Sequence, residues 1–313
     1  MSVTHRAGDH VDQHDLSWAD ADPGPGPFLG EIFTLVFVRD LDPLEALRRA
    51  GGLMDTLEPR TPAQMRRLHD FDYGYPEVAA ALPLGGWTVL SQPASSSLEF
   101  LADALSRGTE AVVVTRHDYA SPGFVHHVDG ELAAHFNPTW LDESGGDGLE
   151  RLLPLMREAG FDTGPADEDD DRYDEPITRS LRPAGLLTGV LPTFDQLTAP
   201  LPSAHFERWF TRTRPEVVDN PLATATEIVA ELSLEDTPGL AAALTAARRG
   251  DPVVLTPDSD LGRHVREWSA LSRRAGWSLN HARSRMTDEE RAIGHRHGHL
   301  LHALAAAFRA DRA

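Results

Sequence analysis

Three histidines near the C-terminus have the spacing that metal sites on helices use. His295, His299 and His302 stand at i, i+4 and i+7, so a helix would place them on one face, where paired imidazoles can bind zinc or nickel. The pattern differs from the HExxH motif of metalloproteases, because arginine follows His295 where that motif has glutamate. The sequence therefore predicts either a metal site at these histidines or an amphipathic helix whose histidines are solvated or hydrogen-bonded.

A second set of histidines lies on predicted strands. His117, His126 and His135 could share one face of a sheet with Asp118 or Glu131, and together they would offer imidazole and carboxylate ligands to a metal. Surface histidines beside aromatic residues are the alternative. We predict no cofactor and keep metal binding as an alternative function.

An acidic loop, DEDDDRYDE, covers residues 167–175. The spacing of its aspartates matches the first three ligand positions of a calcium-binding EF-hand loop, but Arg172 stands where that loop requires glycine. We therefore predict a solvated loop, because its like charges repel one another unless they are paired. The loop is predicted to contribute to a surface for a basic protein partner through four carboxylates: Asp167, Asp169, Asp170 and Asp171.

The last segment of the chain differs in charge from the rest. Residues 263–313 contain ten arginines and five acids, a net charge of +5. Because the whole chain has a net charge of −20, the residues before 263 together carry −25. Arg283 and Arg285 precede a predicted helix, and the local positive charge is compatible with contacts to DNA phosphates. DNA binding through this segment is therefore an alternative function, although the acidic remainder opposes it.

Composition excludes several chemistries. The chain has no cysteine, which rules out disulfides, thiolate nucleophiles and cysteine zinc sites. It has no lysine either, since all 29 basic residues are arginine, and this rules out P-loop, Schiff-base and protein-kinase chemistry. There is no GxSxG motif, and the serines at 95–97 are predicted to start a helix. We predict no catalytic residue.

Four segments have the composition of β-strands and should position the candidate residues. They are rich in β-branched and aromatic residues and cover 31–39, 86–91, 111–117 and the hairpin at 124–136, which turns at Asp129-Gly130. Because short turns join antiparallel strands, we predict an α+β fold in which helices pack on one antiparallel sheet.

The hairpin turn also predicts a register. With Asp129 and Gly130 as the turn residues, Val128 pairs with Glu131, and continued pairing sets Val125 opposite Ala134. The predicted core face then contains Val125, Leu132, Ala134 and Phe136.

The chain is predicted to contain two domains after a mobile acidic tail at 1–15. The first, at 16–214, holds the sheet. A Pro-rich junction separates it from a mostly helical domain at 221–313, in which we predict helices at 238–248, 258–275 and 287–309 and a strand at 252–255. The polar start lacks the apolar centre of a signal peptide, and no apolar run reaches the ~20 residues of a membrane span. We therefore expect a cytoplasmic protein without membrane contact.

Several motifs occur in the order found in a known family. EIFTLVFVRDLDPLEALRRAG opens the series at residue 31, followed by GGWTVLSQP, VDGELAAHFNP and LLTGVLPT. Over about residues 16–210 the chain resembles an actinobacterial family of uncharacterised proteins, domain of unknown function 6461. The resemblance implies a shared fold but no activity and no catalytic residue.

The C-terminal segment lies outside that resemblance. HVREW at 264–268, AGW at 275–277 and the two arginines at 283 and 285 resemble the small DNA-binding domain of the actinobacterial nucleoid proteins of the Lsr-two family. In that family an arginine–glycine–arginine loop enters the minor groove, whereas this chain has serine between the arginines.

The combined observations favour a non-enzymatic binding protein. Its net charge of −20 is typical of a protein that attracts basic partners and repels nucleic acid and anionic membranes. We predict an immunity or accessory factor that engages a basic protein partner. A metal-binding protein or enzyme using histidine and carboxylate is the second hypothesis, and a DNA-linked regulator is the third.

Overall fold

The computed structural model describes residues 15–23, 28–68, 77–162, 175–211, 218–278 and 286–308. The chain divides into two units. The first consists of Met1–Ala50, Leu57–Arg66 and Val78–Ala204, and the second of Gly51–Thr56, Arg67–Glu77 and His205–Ala313.

One antiparallel sheet of eight strands organises the first unit, which confirms the predicted α+β class. The strand order is β2-β8-β3-β4-β1-β5-β6-β7. In chain order the strands are β1 (Ile32–Arg39), β2 (Glu58–Arg60), β3 (Val78–Leu84), β4 (Trp87–Pro93), β5 (Glu110–His117), β6 (Gly123–Val128), β7 (Glu131–Phe136) and β8 (Leu201–His205).

The central strand explains why both faces of the sheet are covered. All six residues of β1 from Phe33 to Val38 are buried, and a strand without an exposed face must pack on both sides. Strand β1 pairs with β4 on one side and with β5 on the other. The four predicted strand segments do share this sheet, while β2, β3 and β8 were not predicted.

The β6–β7 hairpin confirms the predicted turn and corrects the predicted register. Val128 faces Glu131 as expected, but a bulge between His126 and His127 shifts the remaining pairs, so that Val125 lies opposite His135. The predicted pair of Val125 with Ala134 is therefore wrong. Leu132 is 43% exposed rather than in the core, while Ala134 and Phe136 are buried as predicted.

The helices of the first unit pack on this sheet. Helix α1 (Pro43–Arg49) begins where the Asp42 side chain accepts the amide protons of Leu44 and Glu45 at 3.0 and 3.1 Å, as an N-cap should. The others are α2 (Pro62–Arg67), α3 (Ala102–Leu105), α4 (Leu149–Glu158), α5 (Pro176–Thr188) and α6 (Phe194–Thr198), and a 3-10 turn (Ser97–Leu101) precedes α3.

The second unit is helical, with a core of its own. It contains α7 (Pro221–Glu231), α8 (Leu240–Arg248), α9 (Asp260–Ser278) and α10 (Asp288–Phe308). The core includes Trp209, Trp268 and Leu304. Residues 251–256 form no strand, so the strand predicted at 252–255 is wrong. Within the described ranges, no helix combines the length and the apolar character that crossing a membrane requires.

Candidate functional site

A partly buried carboxyl lies beside the sheet in the first unit. Glu99 belongs to the 3-10 turn that packs on β1 and β5. Burial raises the pKa of Glu99, while a hydrogen bond with Thr115 and the proximity of His117 act in the opposite direction. A carboxyl whose proton affinity is raised by its surroundings is a common mark of a functional position, although structural clusters share it.

Local hydrogen bonds hold the turn that carries this carboxyl. The Leu98 amide donates to Gln92 Oε1 at 2.8 Å, and the Ser97 amide donates to Ser95 Oγ at 3.2 Å. Leu98 and Leu101 are buried on either side of Glu99. Two buried leucines therefore anchor the turn that carries Glu99.

An exposed tyrosine continues the same end of β5. The Tyr119 hydroxyl donates to Glu31 Oε2 at 2.7 Å, and its ring lies edge-on to His117 with 6.4 Å between centroids. The hydrogen bond to Glu31 raises the pKa of the Tyr119 phenol. The tyrosine is 72% exposed, so it presents a ring face to solvent beside a fixed carboxylate.

The nearby arginine already has partners. The Arg116 guanidinium donates to both oxygens of Asp118 at 2.8 Å and to the carbonyls of Ala19 and Ala21 at 2.9 Å. Asp20 and Asp22 also lie near this guanidinium, so the carboxylates around Arg116 outnumber its single positive charge.

We call Glu31, Glu99, Phe100 and Tyr119 the acidic aromatic surface. Phe100 follows Glu99 in the turn and is 65% exposed. Carboxylates next to exposed aromatic rings form an arrangement that attracts a cation, since the ring face carries a partial negative charge and adds to the attraction of the carboxylates.

The three histidines on the strands do not form one cluster. His126 Nε2 lies 2.8 Å from Glu110 Oε1, and this contact lowers the pKa of Glu110. His117 instead contacts Tyr119, and the His135 ring lies against Gly145. In the described part of the chain, no group of three or more histidine, aspartate and glutamate side chains could hold a metal ion.

The three terminal histidines all lie on α10, as predicted. His299 is exposed, and His295 and His302 are partly buried. His297 is the buried one, with Nδ1 2.9 Å from the carbonyl of Ile293. These three side chains are not arranged as a metal site in the described structure, so metal binding at His295, His299 and His302 would require them to move and stays a prediction.

The other predicted site residues lie outside the described residues. These are Asp167, Asp169, Asp170 and Asp171 in the acidic loop and Arg283 and Arg285 in the last segment. Conversely, Glu99, Phe100 and Tyr119 were not predicted from the sequence. The sequence feature that could have indicated Glu99 is its position as a single acid between two apolar helix positions, Leu98 and Leu101.

The motifs along the sheet point to a family, and a family model matches residues 10–207. The chain belongs to DUF6461, a family of unknown function. The DUF6461 match covers the sheet and the whole acidic aromatic surface, while the four helices α7 to α10 lie beyond it. No curated protein and no solved structure matches the chain.

Proposed function

We propose that this protein binds a basic protein partner through the acidic aromatic surface. The observation that carries the proposal is the pair formed by the Glu31 carboxylate and the exposed Tyr119, next to the partly buried Glu99. An arginine of the partner would form two parallel hydrogen bonds with a carboxylate and stack on an aromatic face.

The electrostatics of the whole chain support the same partner. A net charge of −20 attracts a basic protein over a distance set by salt, about 8–10 Å at physiological ionic strength. This general attraction raises the rate of encounter, whereas fixed carboxylates and rings decide where the partner binds. The predicted contribution of Asp167, Asp169, Asp170 and Asp171 would add to this attraction. An immunity or accessory factor that covers a basic partner fits these properties.

Two competing proposals come from the sequence. One is metal binding or histidine and carboxylate chemistry at His295, His299 and His302, and the other is DNA binding through Arg283 and Arg285. Each predicts a ligand that is not a basic protein, so one capture experiment with added controls distinguishes all three.

The experiment is affinity capture from a lysate of the source organism at about 50 mM and about 300 mM salt. The bait is the full chain without a histidine tag, and it is compared with Glu31→Gln plus Tyr119→Ala. A matched variant, Glu235→Gln plus Val254→Ala, removes one exposed acid and trims one exposed apolar side chain elsewhere.

We expect a basic protein that is captured at low salt by the wild type and by the matched variant, and that is lost with the Glu31 and Tyr119 variant. Capture that is equal for all three baits would contradict the proposed surface. A shift of duplex DNA that disappears with Arg283→Ala and Arg285→Ala would favour the regulator. Near-stoichiometric zinc or nickel that disappears with His295→Ala plus His299→Ala would favour the metal protein.

A further inference from the structure

The second unit has a polar cavity that is partly open to solvent, in addition to the surface already described. Its volume is about 130 Å³. Helices α9 and α10 line it together with the segment that contains Trp209, and Glu77 completes the lining. The sequence analysis did not predict this cavity, because its side chains come from four separate parts of the chain.

Buried hydrogen bonds fix one wall of the cavity. Glu207 has a side chain that is only 9% exposed, and it forms an ion pair with Arg273. Its other carboxylate oxygen accepts the Trp209 amide at 3.2 Å, while the Trp209 indole donates to the carbonyl of Leu301 at 2.9 Å. A wall held by this network keeps its shape, as a binding site requires.

A glycine keeps the opposite wall open. A Cβ atom at Gly298 would lie 2.5 Å from Ser272 Oγ, so a larger residue would occupy the space next to that hydroxyl. Ser269 and His302 also line the cavity. Hydroxyl groups and an imidazole can donate as well as accept hydrogen bonds, which suits a small polar ligand.

The charged groups around the cavity balance each other. They are the carboxylates of Glu77 and Glu207 and the guanidinium groups of Arg208 and Arg273. A ligand with a single charge would upset this balance in a partly buried place, where an uncompensated charge is costly. A ligand with one positive and one negative group keeps the balance.

The size of the cavity limits the ligand further. One water needs roughly 10–15 Å³ of such space, so the cavity is about ten times larger than a single-water site. It is below the range of roughly 300–1,000 Å³ typical of sites for drug-sized ligands. A nucleotide is therefore too large, whereas a molecule with the size of an amino acid fits.

We propose that this cavity binds a small zwitterion, an amino acid or a related amino carboxylate. The guanidinium group of Arg208 or Arg273 and the serine hydroxyls bind its carboxylate, and the carboxylate of Glu77 binds its ammonium group. This site is independent of the acidic aromatic surface, because all of its lining residues belong to the second unit.

The test is a thermal shift screen of the full chain with the twenty free amino acids, followed by calorimetric titration. Succinate and 1,4-diaminobutane serve as ligands with charges of one sign. At about ten times its dissociation constant, a bound amino acid should raise the melting temperature by about 2–4 °C.

Three variants locate the binding. Arg208→Gln removes a cation from the lining and should weaken binding at least about tenfold, as expected for the loss of a charge-assisted hydrogen bond. In the double variant, Ser272→Ala removes a hydroxyl group and Gly298→Ala adds a methyl group next to it. The two Cβ atoms would be 3.5 Å apart, so no steric overlap arises. This variant should weaken binding to a similar extent. Gly276→Ala, a matched change on α9 with nothing within 4 Å, should leave the affinity unchanged.

The proposal is overturned if no free amino acid binds at 10 mM, a concentration about tenfold above a millimolar dissociation constant. It is also overturned if succinate or the diamine binds as tightly as the best amino acid, or if the lining variants bind as well as Gly276→Ala. Loss of partner capture by the first unit would not affect any of these outcomes.

Discussion

At the scale of single residues, the acidic aromatic surface depends on how the protein holds two carboxylates. Glu31 accepts a hydrogen bond from the exposed Tyr119 hydroxyl, whereas Glu99 belongs to a turn in which Leu98 and Leu101 are buried. Burial raises the pKa of Glu99.

The first prediction concerns this carboxyl and stability. The pKa of Glu99 is higher in the folded protein than in the unfolded chain. The contribution of Glu99 to the free energy of unfolding is therefore fully present below the pKa that Glu99 has in the unfolded chain, and it is lost as the pH rises through the pKa that Glu99 has in the folded protein. The Glu99→Gln variant has no such loss. Its melting temperature relative to wild type should therefore increase between pH 4 and pH 8, as circular dichroism would show. Phe100→Leu is the uncharged control in the same turn, and a pH-independent difference for Glu99→Gln would contradict the prediction.

The second prediction concerns a glycine beside the hairpin. Gly146 has φ +106°, and a Cβ atom there would lie 2.4 Å from the carbonyl oxygen of Ala133. We expect Gly146→Ala to lower the free energy of unfolding by about 3 kcal/mol or more, since the backbone strain of about 1–2 kcal/mol adds to the overlap. Gly160→Ala, at φ +90° with nothing within 4 Å, should cost only about 1–2 kcal/mol. Urea unfolding measures both, and equal losses would show that the overlap does not matter.

At the scale of elements, the strands that are rich in β-branched and aromatic residues could be predicted from the sequence, whereas β3, which is poor in them, could not. Strand β1 is rich in β-branched and aromatic residues and was predicted, but β3 contains VAAALPL, in which alanine and proline favour no strand. The hairpin turn follows from Asp129-Gly130. The bulge does not follow from the local sequence, and at the bulge the Ala133 carbonyl accepts the distant Gly148 amide at 2.7 Å.

The candidate site could also be predicted only in part. Glu99 and Tyr119 are ordinary residues of a helix start and a loop in the sequence. They become a site because β5 places His117 near both of them and Thr115 near Glu99. The contact between Glu31 and Tyr119 joins residues 88 positions apart and so leaves no local pattern in the sequence.

The third prediction concerns the packing of α9 on α10. Gly294 and Gly298 lie one turn apart on α10, and a Cβ atom at Gly294 would approach the Ala275 Cβ to 2.5 Å and the Leu271 carbonyl oxygen to 2.8 Å. Gly294→Ala should therefore lower the free energy of unfolding by about 1–3 kcal/mol by forcing the helices apart.

Gly276→Ala is the control for this prediction, because it adds the same methyl group on α9 where nothing lies within 4 Å. It should be neutral or stabilise the protein by up to about 1 kcal/mol through its helix propensity. If thermal unfolding shows equal effects for the two variants, the close approach of the helices is wrong.

At the scale of the whole molecule, the central question is whether a basic partner binds at a site or to the general negative charge. A protein with a net charge of −20 attracts any polycation. General attraction depends on total charge, whereas site binding depends on particular residues. A substitution that scarcely changes the total charge but removes the site separates the two.

The most direct measurement is therefore the affinity of a fluorescent arginine-rich peptide for the full chain, determined by anisotropy at about 50 and 150 mM salt. Glu31→Gln plus Tyr119→Ala and the control Glu235→Gln plus Val254→Ala each remove one negative charge, so both change the net charge from −20 to −19. We predict at least about tenfold weaker binding for the first variant, as the loss of a charge-assisted contact requires, and little change for the control. Equal affinities for the two variants at both salt concentrations would contradict the account, because the peptide would then respond only to total charge.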